Sequence, residues 1–187
     1  GVLDAAAARH PQRSSLADFR ADPALVAAED AAFGAAERIV SPHAELARLF
    51  PERVERLPWM VPAAASRFSP SPTASRRIGF AGPTAARKGA WAVREAARAL
   101  DLEVVLSGSD LEGADFWDGV RTVRCGDDWL REVAVVVQPA LTEEAPRRLL
   151  AALAAGVPVI ASPACGLEAR DGLTLIAADD GAALTAA

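Results

Sequence analysis

From Arg76 onward the chain alternates short apolar runs with stretches of helical spacing, and this alternation limits its folds more than any other feature. The runs are RIGFA (77–81), LEVVL (102–106), VRTVR (120–124), VAVVV (133–137), VPVIA (157–161) and LTLIA (173–177). Several are apolar on consecutive residues, the pattern of parallel strands covered on both faces. Between the first two lies a predicted helix from about Gly89 to Leu100. Its inner stripe is Ala90, Val93, Ala97 and Leu100, with Arg94, Glu95 and Arg98 toward water. A second helix is predicted from about Pro146 to Ala155, stopped by Gly156. Such alternation closes through right-handed crossovers into a doubly wound, parallel, six-stranded Rossmann-like α/β sheet. Ligands on these sheets bind at the carboxyl ends of the strands, so the loops after the first and fourth strands carry the functional question.

The first 57 residues follow a different rhythm and read as mostly helical. Asp22 followed by Pro23 predicts an N-cap and a first helical residue, ahead of a run with apolar Leu25, Val26, Ala32, Phe33 and Ala36. RIVSPHAELARLF predicts a short strand, Ser41 as cap, Pro42 as first helical residue, and a helix burying Leu46, Leu49 and Phe50. RVERLPW reads as another strand. Residues 58–75 hold four prolines and four serines, the composition of a linker. The expected organisation is therefore 1–57, a linker at 58–75, and the α/β domain at 76–187.

Composition narrows the function classes. The net charge of −5 and the scattered arginines argue against nonspecific nucleic-acid binding. No apolar run is long enough to predict a membrane span. GVLDAAAARH lacks the basic start and apolar stretch of a signal peptide. Two cysteines, Cys125 and Cys165, form neither a disulfide framework nor a metal spacing, which fits a reduced, cytoplasmic setting. With only His10 and His43, no histidine-rich metal site is expected.

Against that acidic background, GPTAARKGAWAV (82–93) places Arg87 and Lys88 at a predicted helix start, which is already electropositive. The lysine precedes the glycine, so this is not a Walker loop, and Gly79 and Gly82 lack the dinucleotide spacing. One reading is an anion site, with Gly82 allowing close backbone approach and the two cations supplying charge. The plainer reading is two solvated cations in a surface loop. After the fourth strand, Glu143 and Glu144 sit just before a helix. They either compensate its dipole or aim a carboxylate at ligand hydroxyls. Asp127 and Asp128 read as a cap before WLREV, His43 as decoration of a helix start, and Cys165 as a small buried residue. Trp91, Phe116 and Trp117 read as packing residues.

Taken together, GFAGPTAARKGAWAVREAARAL and VRCGDDWLREVAVVVQPALTEEAPRRLLAALAAGVPVIASPACGL resemble the donor-binding domain of the retaining, group-one GT-B glycosyltransferases. The resemblance covers about residues 76–180, and residues 23–60 resemble the end of the companion N-terminal domain. It implies that Arg87 and Lys88 bind and stabilise a departing diphosphate, with Gly82 as the turn that lets phosphate approach. Glu143, the first glutamate of an E-x7-E pattern, would contact the donor sugar. The backbone at Arg124, Cys125 and Gly126 would border the base. The pattern's second glutamate falls at Ala151, and the family's E-G-F-G is Glu143-Glu144-Ala145-Pro146 here.

The expected function is therefore metal-independent sugar transfer from a nucleotide diphosphate sugar, with no cofactor. The acceptor would be a glycan, lipid or small molecule. Peripheral membrane association is expected through the N-terminal domain, and no nucleic-acid partner is expected. Two alternatives stand beside it: a degenerate domain that binds nucleotide or a partner without catalysis, and a sugar-nucleotide epimerase of the same shape. The apolar faces around Leu25, Phe33, Leu46 and Phe50 are expected to pack on the C-terminal domain or on a second copy of the chain.

Overall fold

The computed structural model describes residues 1–18, 20–61, 72–124, 126 and 128–187. Its N-terminal part holds helix α1 (Val2–Arg9), helix α2 (Pro23–Ala35), strand β1 (Ile39–Ser41), helix α3 (Ala44–Leu49) and strand β2 (Val54–Arg56). The two strands pair in parallel with α3 as their crossover. Asp22 caps α2 as its sequence predicts, accepting from the Ala24 N–H at 2.7 Å. Ser41 does not cap α3; it ends β1 and accepts from the His43 N–H, and His43 takes the cap position. Proline at 42 therefore lies before the helix. Leu49 is exposed rather than buried. α2 has no buried residue, and its Leu25 is 64% exposed, so of the two expected places for this face the C-terminal part is not the one it packs on. Phe33 stacks instead on Phe50, with ring centroids 5.5 Å apart.

All six strands read from the sequence after Arg76 are present, with ends that differ from the reading by no more than two residues. They are β3 (Arg77–Phe80), β4 (Glu103–Leu106), β5 (Arg121–Arg124), β6 (Val135–Gln138), β7 (Val159–Ala161) and β8 (Leu173–Leu175). They form one parallel sheet in the order β5-β4-β3-β6-β7-β8. The chain winds outward from β3 to β5, returns to place β6 on the other side of β3, and continues to β8. β3 and β6 therefore flank the point where winding reverses, and connections leave them in opposite directions, opening a crevice at their carboxyl ends.

Both faces of the sheet are covered. Ile78, Phe80, Val104, Leu106 and Val137 face α4 (Ala90–Leu100) and Leu184 of the terminal helix α6 (Gly181–Ala186). Their sequence neighbours Val105 and Val136, with Val159 and Ala161, face Leu149 and Ala152 of α5 (Arg147–Ala155) and the indole of Trp129. The strands read as near-continuous apolar runs because both alternating side-chain sets are buried. At Gly79 a side chain is excluded, since a Cβ there would lie 2.6 Å from the Trp129 ring. α4 buries Ala90, Ala92, Val93, Ala96 and Ala97; Leu100, expected inside, is exposed at the last turn. Phe116 and Trp117 are buried, as packing residues should be.

Candidate functional site

The β3–α4 loop runs from Gly82 through a single 3-10 turn, Ala86–Lys88, to Gly89. Gly89 has φ 83°, and a Cβ on it would lie 2.4 Å from the Pro139 carbonyl oxygen. Glycine is thus required twice, for the left-handed backbone and for contact with the chain leaving β6. This contact joins the two loops of the crevice. The Arg87 carbonyl then accepts from the Leu141 N–H at 2.8 Å and from the Thr142 N–H at 3.3 Å.

Lys88 turns under Gly82 and is buried. Its Nζ donates to Glu143 Oε2 at 2.8 Å and to the Thr142 carbonyl at 3.2 Å, and the two charged side chains are 9% and 13% exposed. Gln138 Nε2, from the last residue of β6, donates to the same Glu143 oxygen at 2.5 Å. The Ala145 N–H donates to Oε1 at 3.1 Å. Burial opposes the charge on Glu143. The Lys88 hydrogen bond and charge, the Ala145 N–H and the Gln138 amide together outweigh it, so the carboxyl is held below the ordinary carboxylate range. The pair therefore stands as ammonium and carboxylate at the floor of the crevice.

Two clefts open on either side of Glu143. One, of about 460 Å³, is lined by Arg87, Lys88, Thr142, Glu143, Glu144 and, from α1, Leu3. The other, of about 340 Å³, is lined by Gly82, Pro83, Gln138, Glu143, and Arg147 and Arg148 at the start of α5, among others. Four expected site residues, Gly82, Arg87, Lys88 and Glu143, are thus brought together from loops 55 residues apart. Arg124 is not among the lining of either cleft. It ends β5, donates to the Gly108 carbonyl at 2.6 Å and pairs with Asp110. Asp110 accepts from Thr84 Oγ1 at 2.8 Å, and that hydroxyl accepts from Trp117 Nε1 at 3.0 Å. Gly126 follows at the same strand end and its carbonyl accepts from the Trp129 N–H. Cys125 and Asp127 lie outside the described residues. Asp128 stands before the turn Trp129–Glu132 without a side-chain capping bond.

Several residues at the crevice carry no local sequence signal. His43 Nε2 is 2.9 Å from the Glu143 carbonyl, an oxygen that can only accept, so Nε2 carries the proton in this contact. Gly166 makes room for the imidazole, since a Cβ there would lie 2.4 Å from its ring. The Ala44 N–H and Trp59 Nε1 both donate to the Gly166 carbonyl, at 3.0 and 3.2 Å. Ser15 Oγ and Glu112 Oε1 each accept from the Ala86 N–H at 2.8 Å, bringing the N-terminal segment onto the β3–α4 loop. Ala6 and Leu16 are buried there against Ala86 and Leu141. Arg148 has a weak signal, two arginines opening a helix beside the strand ends. Cys165 is fully buried and donates toward the Gln138 carbonyl; burial pushes its thiol up to about 11, which leaves it unreactive at neutral pH.

Residues 75–187 match the family model described as "Glycosyl transferases group 1". Among solved structures, the chain is similar to the C-terminal domain of the group 1 family glycosyl transferase LpcC from Francisella tularensis. That match has 19% identity, 64% of this chain, 82% of that one and a TM-score of 0.51. Sucrose-phosphate synthase from Thermosynechococcus elongatus aligns at 20% identity over 89% of this chain and 52% of its own, with a TM-score of 0.66. Anabaena HepE, solved with UDP and glucose, aligns at 14% identity over 80% and 52%, with a TM-score of 0.59. At these identities the likeness is one of fold. The chain spans about half the length of the last two proteins. No curated protein matches the chain.

Proposed function

Because the chain belongs to the group 1 glycosyl transferases, we propose that the crevice between β3 and β6 binds a nucleotide diphosphate sugar, and that the whole protein passes this sugar to an acceptor. The observation that carries the reading is the convergence of Arg87, Lys88 and Glu143 on the carboxyl ends of the two strands where winding reverses. As the glycosidic bond to the diphosphate breaks, negative charge gathers on the leaving group and the sugar becomes oxocarbenium-like. Fixed cations beside the leaving oxygens favour that state over the bound donor. In this reading guanidinium and ammonium groups do the work a metal does elsewhere, and transfer proceeds with retention. Acceptor recognition belongs to a companion N-terminal domain of which residues 1–57 are part.

Glu143 has a lone pair of Oε1 left after accepting from Ala145, directed to sugar hydroxyls in this proposal. Arg124, Cys125 and Gly126 are proposed to border the base. A second reading, a non-catalytic nucleotide-binding module, is favoured by Ala151, which offers no carboxylate to ribose hydroxyls. Calorimetric titration with UDP, GDP and ADP tests both. Binding by one of them together with sugar transfer from its sugar conjugate supports the enzyme. Binding without transfer by the whole protein supports the module. No binding by any of the three removes the donor site.

A further inference from the structure

We propose that Arg148, the second residue of α5, is a further cation that grips the donor's diphosphate, beside Arg87 and Lys88, and that much of the Lys88 charge is spent on Glu143 beneath it. The inference rests on the nucleotide-donor reading above. The charge inventory of the crevice leads to it. Lys88 is committed: its ammonium is covered and divided between Glu143 and the Thr142 carbonyl. The charges of that pair cancel. Without Lys88, a bare carboxylate on the wall of both clefts would repel a diphosphate; with it, the pair is neutral and attracts little. Arg87 lines the cleft beside Leu3, so the cleft beside Gly82 needs a cation of its own.

Arg148 is placed to supply it. It is exposed, and it lines the cleft that also holds Gly82, Pro83, Gln138 and Glu143. Its Nη1 donates to the Ala81 carbonyl at 2.9 Å and to Ser107 Oγ at 3.0 Å, residues that follow the last residues of β3 and β4. Both anchors use one nitrogen. Among the described residues Arg148 has no carboxylate partner and no further bond, so Nε and Nη2 keep their N–H groups for a ligand. A guanidinium fixed at one corner presents the rest of its planar fork at a set angle, which suits two phosphate oxygens better than a mobile ammonium would. Arg147, exposed at the edge of the same cleft, adds charge without an anchor of this kind.

The test compares the wild-type protein with R148A and R148K, using three probes: the nucleoside diphosphate that binds best, the matching nucleoside, and inorganic pyrophosphate. R148A is expected to weaken nucleoside diphosphate and pyrophosphate by about tenfold or more, the effect of losing a charged hydrogen-bond donor, and to leave the nucleoside unchanged. R148K restores part of the loss. Because Arg148 is exposed, the melting temperature of R148A should match the wild type. Equal binding of all probes by R148A overturns the inference while leaving the donor reading intact. Equal weakening of the nucleoside also overturns it, since that marks a general loss of shape. Failure of the wild type to bind nucleotide or pyrophosphate overturns the donor reading, and the inference with it.

Discussion

Lys88 and Glu143 each need the other, because an unpaired charge at the floor of the crevice would be buried without compensation. Replacing Lys88 by alanine is expected to cost roughly 3–5 kcal/mol in denaturant unfolding, and the double replacement K88A/E143A less than the sum of the two singles. The pair also predicts a pH limb. A carboxyl held below its ordinary range adds stability that is fully present above the ordinary glutamate pKa of about 4.3 and is lost as pH falls through the folded value. Urea unfolding from pH 7 down to pH 3 should show that loss, and K88A should flatten it. Both residues are marked as site candidates in the sequence, by a basic pair at a helix start and by an acid before a helix. Their pairing is not legible there. It depends on β6 settling beside β3, and no local pattern states which strand neighbours which. Arg148 and His43 are hidden for the same reason: each acts across a contact made by topology, His43 at 100 positions' separation from Glu143.

The elements of the C-terminal part follow from patterns a reader of the sequence can apply. Six apolar runs give six strands, and Gly156, at φ 79°, stops α5 where its sequence says. The differences fall at ends, where flanking residues pair less well. Leu100 is apolar and in phase with the inner stripe of α4, but it lies in the last turn, where it stays 44% exposed. Ser-Pro at 41–42 looks like a cap and first helical residue. Pairing of β1 with β2 claims Ser41 for the strand instead. The glycine between the crevice loop and α4 can be tested directly. G89A combines a positive φ with a Cβ against the Pro139 carbonyl, so it should lose at least about 1–3 kcal/mol and weaken nucleotide binding in proportion to the displaced loop.

Across the whole molecule, burial is uneven. The sheet from β3 to β8 carries the two large apolar clusters, whereas α2 contributes no buried side chain. Leu149→Ala, at a fully buried position of α5, should cost about 2–5 kcal/mol. Leu25→Glu on α2 should change stability by less than about 0.5 kcal/mol in dilute solution. The sequence shows α2 as an apolar helix but cannot show what it faces, since amphipathic spacing records a face and not its partner. The N-terminal segment instead meets the crevice through Leu3, Ser15 and Leu16, small contacts without a periodic signature. The account stands on a diphosphate seated between the loops after β3 and β6. Amide chemical-shift mapping with the tightest-binding nucleoside diphosphate tests that seat most directly. The largest shifts are predicted at Gly82, Thr84–Gly89, Glu143–Ala145 and Arg147–Arg148; shifts confined to other surfaces, or none at saturating ligand, would contradict it.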